Sequence, residues 1–260
     1  MKNRINHSKK AEKKGFMQIH GIHAVIAALK NPLRNHHKLV ISSSNKEIIN
    51  QKTRESINEI IELPNREMTK IYGGESNHQG IILTTSIIKP PLIDEIINIS
   101  HKQESQIIIM LDQVTDPNNI GSIMRSCSMF NCNTIIVSKN NAPDITSSMA
   151  KAASGALEVM NYIKVTNLVR TIEKFKKNNF WVYGMEKNKK NSNANLKISK
   201  KCLIVLGSEN KGLRNSTKKS CDELISIPTK MNSNFFIDSL NVSNACSIIL
   251  YEHYKNNISI

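Results

Sequence analysis

The sequence predicts an α/β protein, with a parallel-sheet unit in its C-terminal half and a smaller α/β unit ahead of it. Three observations carry this. From residue 106 onward, short wholly apolar runs alternate with segments of helical period, as in strands joined by helical crossovers and covered on both faces. Before residue 86 the same two periods recur over a shorter span. The 260 residues, 39% hydrophobic and 22% charged, are enough for one large domain or two small ones with a sizeable core.

Residues 1–16 carry Lys2, Arg4, Lys9, Lys10, Lys13 and Lys14 against Glu12 and have no apolar period, so they read as a flexible basic arm. The first unit spans 17–85. In it Ile22, Val25, Ile26 and Leu29 fall at i, i+3, i+4 and i+7, marking a helix that stops before Asn31-Pro32. Leu39–Ser42 reads as a strand. Asn45 is a candidate cap for a second helix bearing Ile48, Ile49, Ile57, Ile60 and Ile61, and after Gly73-Gly74 the stretch Gly80–Thr84 reads as another strand. Residues 86–105, with Pro90-Pro91, read as a linker, part of which packs as a helix through Ile93, Ile96 and Ile97. The second unit spans 106–260. Its strands are expected at Ile107–Leu111, Thr134–Ser138, Tyr162–Val165, Phe180–Gly184, Cys202–Leu206 and Leu224–Ile227, with a helix over Asn167–Asn178 capped by Asn167.

Composition narrows the partners. Thirty-six Lys and Arg against 21 Asp and Glu leave a net charge of +15, a balance suited to polyanions such as nucleic acid. The plainer source of that charge is the Ile, Lys and Asn bias of an AT-rich genome. The five cysteines include no C-x-x-C pair, so zinc fingers and disulfide frameworks find no support, and no metal site is expected. Lying in or beside apolar stretches, they read as small buried hydrophobes of a reducing compartment. His36-His37 stands in what reads as a polar connection. No apolar run approaches the roughly 20 residues of a membrane span, and no hydrophobic segment follows the basic N-terminus, so a soluble cytoplasmic protein is expected.

In parallel sheets ligands bind beyond the carboxyl ends of strands, and three such loops stand out. Asp116-Pro117-Asn118-Asn119-Ile120-Gly121 follows the first strand of the second unit, with a helix behind it bearing Ile120, Ile123, Met124, Cys127 and Phe130. Arg125 points off that stripe, one turn in, where a guanidinium fork suits phosphate; the plainer alternative is a solvated Arg after a turn. Leu206-Gly207-Ser208-Glu209-Asn210-Lys211-Gly212-Leu213 brackets a carboxylate with glycines, or is simply a strand-to-helix turn. Asp238-Ser239-Leu240-Asn241-Val242-Ser243 opens the last helix, where Ser239 or Asn241 alone would be no more than an N-cap. None of these is a G-x-G-x-x-G or Walker loop, which counts against dinucleotide binding and NTP hydrolysis.

Taken together, D-P-x-N-x-G-x-x-x-R, L-G-x-E-x-x-G-L and S-L-N-V-S resemble, in order, the three signature motifs of the SpoU (TrmH) family of RNA ribose 2′-O-methyltransferases. Gly21-Ile22-His23-Ala24-Val25 and His78-Gln79-Gly80 are similar to the N-terminal RNA-binding domain of bacterial 23S rRNA guanosine-2′-O-methyltransferases, and the likeness covers residues 17 to 255. The resemblance implies a C-terminal trefoil knot (an alpha/beta knot), an N-terminal domain like ribosomal protein L30e, and a homodimer. It also implies S-adenosylmethionine as cofactor and 23S rRNA as substrate. Carried over by motif, the catalytic set is Arg125, Asn119, Glu209, Ser239 and Asn241, with Gly207, Ile227 and Leu240 at the cofactor. Thr229–Asp238 departs from the family pattern, being longer and without glycine. On this reading Arg125 grips the adjacent phosphate and stabilises charge on the reacting oxygen, with a Glu209–Arg125 contact expected. A tRNA substrate, a non-catalytic RNA-binding protein on the same fold, and a nucleotide-dependent enzyme are the alternatives.

Overall fold

A computed structural model describes residues 15–72, 78–187, 197–209, 211–229 and 239–257. Most of the basic arm, Asn210, nearly all of the long loop at 229–238 and the last three residues lie outside that description. The elements run β1 (Phe16–His20), α1 (Ile22–Lys30), β2 (His36–Ser42), α2 (Gln51–Glu55), β3 (Ile57–Leu63), α3 (Asn65–Tyr72) and β4 (Ile81–Ser86). Then come α4 (Ile93–Ser100), β5 (Gln106–Asp112), α5 (Pro117–Met129), β6 (Thr134–Ser138), α6 (Ser147–Ala153), β7 (Asn161–Val165) and α7 (Leu168–Lys176). The chain ends through β8 (Trp181–Met185), β9 (Lys201–Gly207), α8 (Asn215–Ser220), β10 (Glu223–Ile225) and α9 (Val242–Asn257). Two compact units result, one from the described parts of Met1–Lys89 with Asp144–Val159, the other from Pro90–Pro143 with Met160–Ile260.

The first unit is a four-stranded sheet in the order β1-β4-β2-β3. Strand β4 runs antiparallel to β1 and β2, and β3 lies parallel to β2. Leu39 and Ile41 are buried from one side of β2, while Val40, on the other, clusters with Met68 of α3 and Ile82 of β4. Ile57–Leu63 corrects the expected helix. Ile57, Ile60 and Ile61 have helical spacing, but Ser56 and Pro64 bound a run too short for an amphipathic helix, and pairing with β2 decides for a strand. Asn50, not Asn45, caps α2, accepting from Thr53 N at 2.9 Å; the Asn45 amide donates to Gln79 O at 2.7 Å instead. His36 and His37 belong to β2, and His36 is buried rather than in a polar connection.

Residues 144–159 belong to the first unit, where α6 packs on β1 and α1 through Met149, Ala150 and Ala153 and a buried ion pair adds a second hold. Arg34 Nε donates to Glu158 Oε2 at 2.7 Å and Nη2 to Oε1 at 3.0 Å, a two-pronged charge-assisted pair. Asn31 Nδ2 adds a bond to Oε2 at 2.8 Å, and Arg34 Nη1 reaches Ser86 O at 2.5 Å. The side chains of Arg34 and Glu158 are 1% and 7% exposed.

The second unit is a six-stranded sheet, β10-β8-β9-β5-β6-β7, with every neighbouring pair parallel. Each expected strand is present. The central β5 is buried along its whole length. From β5 and β9, Ile108, Met110, Leu203 and Val205 pack under Leu168, Ile172 and Phe175 of α7. The linker helix α4 contributes Ile96 and Ile97 to this same core, so much of the expected linker is structural. Helices α5 and α9 pack on each other and bury Ile120, Ile123, Met124 and Cys127 together with Cys246, Ile249 and Leu250. Asn167 caps α7 as expected, accepting from Arg170 N at 3.0 Å. All five cysteines are free; burial pushes the half-buried Cys221 thiol up to about 11 and keeps Cys127 protonated. Among the described residues no helix is long and apolar enough to cross a membrane.

Candidate active site

The carboxyl ends of β5 and β9 lie side by side, with Asp112 opposite Gly207 in parallel register. Beyond β5, Asp116 caps α5: its carboxylate accepts from Asn118 N at 3.1 Å, and Pro117 occupies the first turn, where a missing N–H costs nothing. What reads in sequence as a loop is therefore already helix, and Asn119 sits in its first turn. Beyond β9 the chain doubles back, Gly212 N donating to Ser208 O at 2.8 Å. A Cβ at Gly207 would lie 2.1 Å from the Gly212 carbonyl carbon and 2.4 Å from Leu213 N, so no other residue fits there without moving backbone. Asn241 caps α9 through Oδ1, which accepts from Ser243 N at 2.9 Å.

Three segments far apart in sequence meet at one carboxylate oxygen. Glu209 Oε1 accepts from Asn241 Nδ2 at 2.7 Å, from Asn119 Nδ2 at 3.3 Å and from Val242 N at 3.3 Å, while Asn241 Nδ2 also reaches Asn119 Oδ1 at 3.0 Å. Two clefts flank this knot of polar groups. One, about 400 Å³, is lined by Gly207, Ile227, Ser239 and Leu240 among others; the second, about 320 Å³, has Gln113, Asp116 and Asn119 on its wall. Ser208, Glu209, Lys211 and Val242 border both. Of the residues singled out in sequence, seven of eight thus gather here.

Arg125 is the exception. It is exposed, lines neither cleft, and has no partner among the described residues. The expected Glu209–Arg125 contact is not made. Helix α5 starts at Pro117, so Arg125 lies past the second turn, about 9 Å along the axis from Asn119, and the Glu209 oxygen is already taken by two amides and a backbone N–H.

Other residues of this region carried weaker signals. Asp112 is fully buried at the end of β5; Oδ1 accepts from Arg214 Nε at 2.8 Å and Oδ2 from Arg214 N at 3.1 Å. This pair ties the end of the Gly207–Leu213 loop back to the sheet. Lys218 bonds Glu186 across the larger cleft. A lone Asp closing an apolar run was the visible clue to the first; nothing in sequence pointed to the second.

Residues 106–251 match the SpoU rRNA methylase family, and residues 18–91 match a family described as RNA 2′-O ribose methyltransferase substrate binding. The chain belongs to the SpoU rRNA methylase family. Its relatives include two proteins named 23S rRNA (guanosine-2′-O-)-methyltransferase RlmB. That of Coxiella burnetii is 32% identical over 90% of this chain and 93% of its own length, and that of Escherichia coli K12 is 30% identical over 90% and 96%. The fold is also that of an AdoMet-bound rRNA methyltransferase from Sinorhizobium meliloti, with a TM-score of 0.76 and 23% identity over 96% of this chain and 91% of that one.

The residues present fit the cofactor such enzymes use. The larger cleft has a volume proper to a small-molecule site, apolar walls in Leu206, Leu213, Ile227 and Leu240, and bare backbone where only Gly207 fits. Peptide groups and aliphatic edges of this kind suit an adenine ring, and the Glu186–Lys218 pair stands on the same wall.

Proposed function

We propose that this protein transfers a methyl group from S-adenosylmethionine to the ribose 2′-hydroxyl of a guanosine in 23S rRNA. The observation that carries this reading is the meeting of Asn119, Glu209 and Asn241 at the border of a cleft walled by Gly207, Ile227 and Leu240. Two relatives named for 23S rRNA, aligned over nearly their whole length, favour rRNA over tRNA.

When bound, S-adenosylmethionine supplies an electrophilic methyl group, and the chemistry asks for no metal. The chain holds cofactor and ribose together, which by itself lowers the barrier. Glu209, fixed by three donors, keeps the two clefts in register and anchors the start of α9; Ser239, on the cofactor side, orients the ribose. Arg125, always protonated, lies outside both clefts, so the bound RNA must run along α5 for it to grip the phosphate beside the ribose and stabilise negative charge on the 2′-oxygen.

The C-terminal segment is threaded as a trefoil knot, supported by family membership and by the shared fold. The protein works as a homodimer. In support, Met129, Ile248, Tyr251 and Tyr254 are exposed along the packed pair α5 and α9, with Phe130 edge-on to both tyrosines, an apolar face suited to a second copy. The first unit, L30e-like, binds RNA, supported by its substrate-binding match. An rRNA substrate and five free cysteines support a cytoplasmic setting.

Incubating the protein with labelled S-adenosylmethionine and unmethylated 23S rRNA should place label on one guanosine ribose, in the presence of a chelator as in its absence. Gly207→Ala should abolish cofactor binding in calorimetry. No label in 23S rRNA, with cofactor still bound, would overturn the substrate assignment.

A further inference from the structure

The first unit holds a cleft of about 480 Å³ that none of the motifs accounts for. It opens where β1, the end of α1 and the start of β2 converge, with the start of β3 on its far side. Its floor is polar but carries no free charge. The Arg34 guanidinium is committed to Glu158 and Ser86 O, and His36 is bonded to Thr85 Oγ1 at 3.2 Å. Burial holds the His36 imidazole below its ordinary pKa, so the ring is neutral at physiological pH.

The rim is different. The exposed His37 ring lies 5.1 Å from Phe16, the two planes tilted by 33°. The carboxamides of Asn35 and Asn58 and the ammonium of Lys30 are exposed there and have no partner among the described residues. An inorganic anion would meet one cation at the edge and a neutralised floor. A planar ligand with a hydrogen-bonding edge and one negative charge would meet everything it needs. Such a ligand is a nucleotide, and RNA is read in sequence chiefly where unpaired bases stack on aromatic rings and bond through their edges.

We propose that this cleft takes one unpaired nucleotide of the substrate RNA. The base stacks on His37, backed by Phe16; Asn35 and Asn58 meet its edge, each with a donor and an acceptor to offer; Lys30 meets its phosphate. This rests on the reading of the first unit as RNA-binding and adds where, and in what form, the RNA is held.

The test uses the full chain and two fluorescein-labelled RNAs of equal length, an unstructured oligoadenylate and a fully paired duplex, followed by anisotropy. His37→Ala should weaken oligoadenylate binding about tenfold and leave its salt slope unchanged, because a stack and not a phosphate contact is lost. His37→Phe should restore it. Lys30→Gln should instead lower the slope by about 0.7, the increment of one single-strand phosphate contact. Duplex binding should be indifferent to His37. Affinity of His37→Ala within twofold of the parent, an equal loss on duplex, or failure of His37→Phe to rescue would each overturn the proposal. Methyl transfer is not read in this assay, so an error about 23S rRNA as substrate would leave the result standing, and a failed stack would leave the substrate assignment standing.

Discussion

In the second unit β5 is buried from end to end and β9 everywhere but its two ends, and between their polar or glycine ends the residues are all apolar. In the first unit β3 forms a sheet edge with Glu59 and Glu62 turned to water, where they meet Lys38, Lys46 and Arg54. There a distant segment is held by a buried charge pair rather than by strand pairing. One unit is specified by where its apolar surface goes, the other in good part by which polar groups find each other. The consequence is a division of vulnerability. Apart from the buried Asp112, the polar residues of the second unit's site stand at strand ends and helix starts, outside the core, so they can be changed with loss of chemistry and little loss of stability. Buried polar residues of the first unit cannot.

The largest effect expected on the chemical side is that of Arg125→Lys. The charge stays but the planar fork goes, and single-turnover methyl transfer should fall roughly 100- to 1,000-fold by analogy with removal of an oxyanion donor. The melting temperature should hardly move, since Arg125 is exposed and has no partner among the described residues. A folding defect in this variant would break the contrast between the units.

Glu158→Ala tests the other side. It strands the buried Arg34, which should cost about 3–5 kcal/mol, read as faster hydrogen exchange at Ala24–Ala28 of α1, while amides of β5 and β9 stay protected. Uniform loss of protection in both units would show that they unfold together.

His20 gives a smaller and pH-dependent effect. Burial first, then the nearby His78 and Lys151 charges, lowers its pKa to about 4 from 6.5. Between these values the unfolded chain binds more protons than the folded one. Its contribution to stability is therefore complete above about pH 6.5 and is lost as the pH falls toward 4, amounting to about 2 kcal/mol by pH 5. Denaturant titrations at pH 7 and pH 5 should show that loss in the parent and a flatter profile in His20→Gln.

Least of all should come from Lys38→Ala. It removes the half-exposed partner of Glu59 at 3.1 Å and should cost under about 1 kcal/mol, less still at high salt. A larger loss would mean that the edge of the first sheet depends on its charges more than exposed pairs allow.

Legibility followed the same division. The six strands of the parallel sheet are legible because strands buried along most or all of their length, such as β5, β6 and β9, need unbroken apolar runs, and the Asn167 cap because a cap is a local bond. The isoleucine spacing of Ile57–Leu63 satisfies a helix as well as a strand, and only its pairing with β2 separates the two. Seven of the eight residues carried over by motif gather around the two clefts. Arg125 points off the apolar stripe of α5 as its spacing predicts, but the motif does not say how far along the helix the clefts reach.

What the sequence by itself determined is whatever depends on neighbours along the chain: the apolar strands, the helix caps at Asn167 and Asn241, and the glycine at 207, where no side chain can be accommodated. The tertiary structure decided which distant groups share a bond. Asp112 meets Arg214 from 102 positions away, Arg34 meets Glu158 from 124, and Asn119 meets Glu209 from 90. Local propensity carries no information about such pairs. A buried charge or amide is satisfied by whichever group the packed core brings within reach, and that choice exists only once the core has formed.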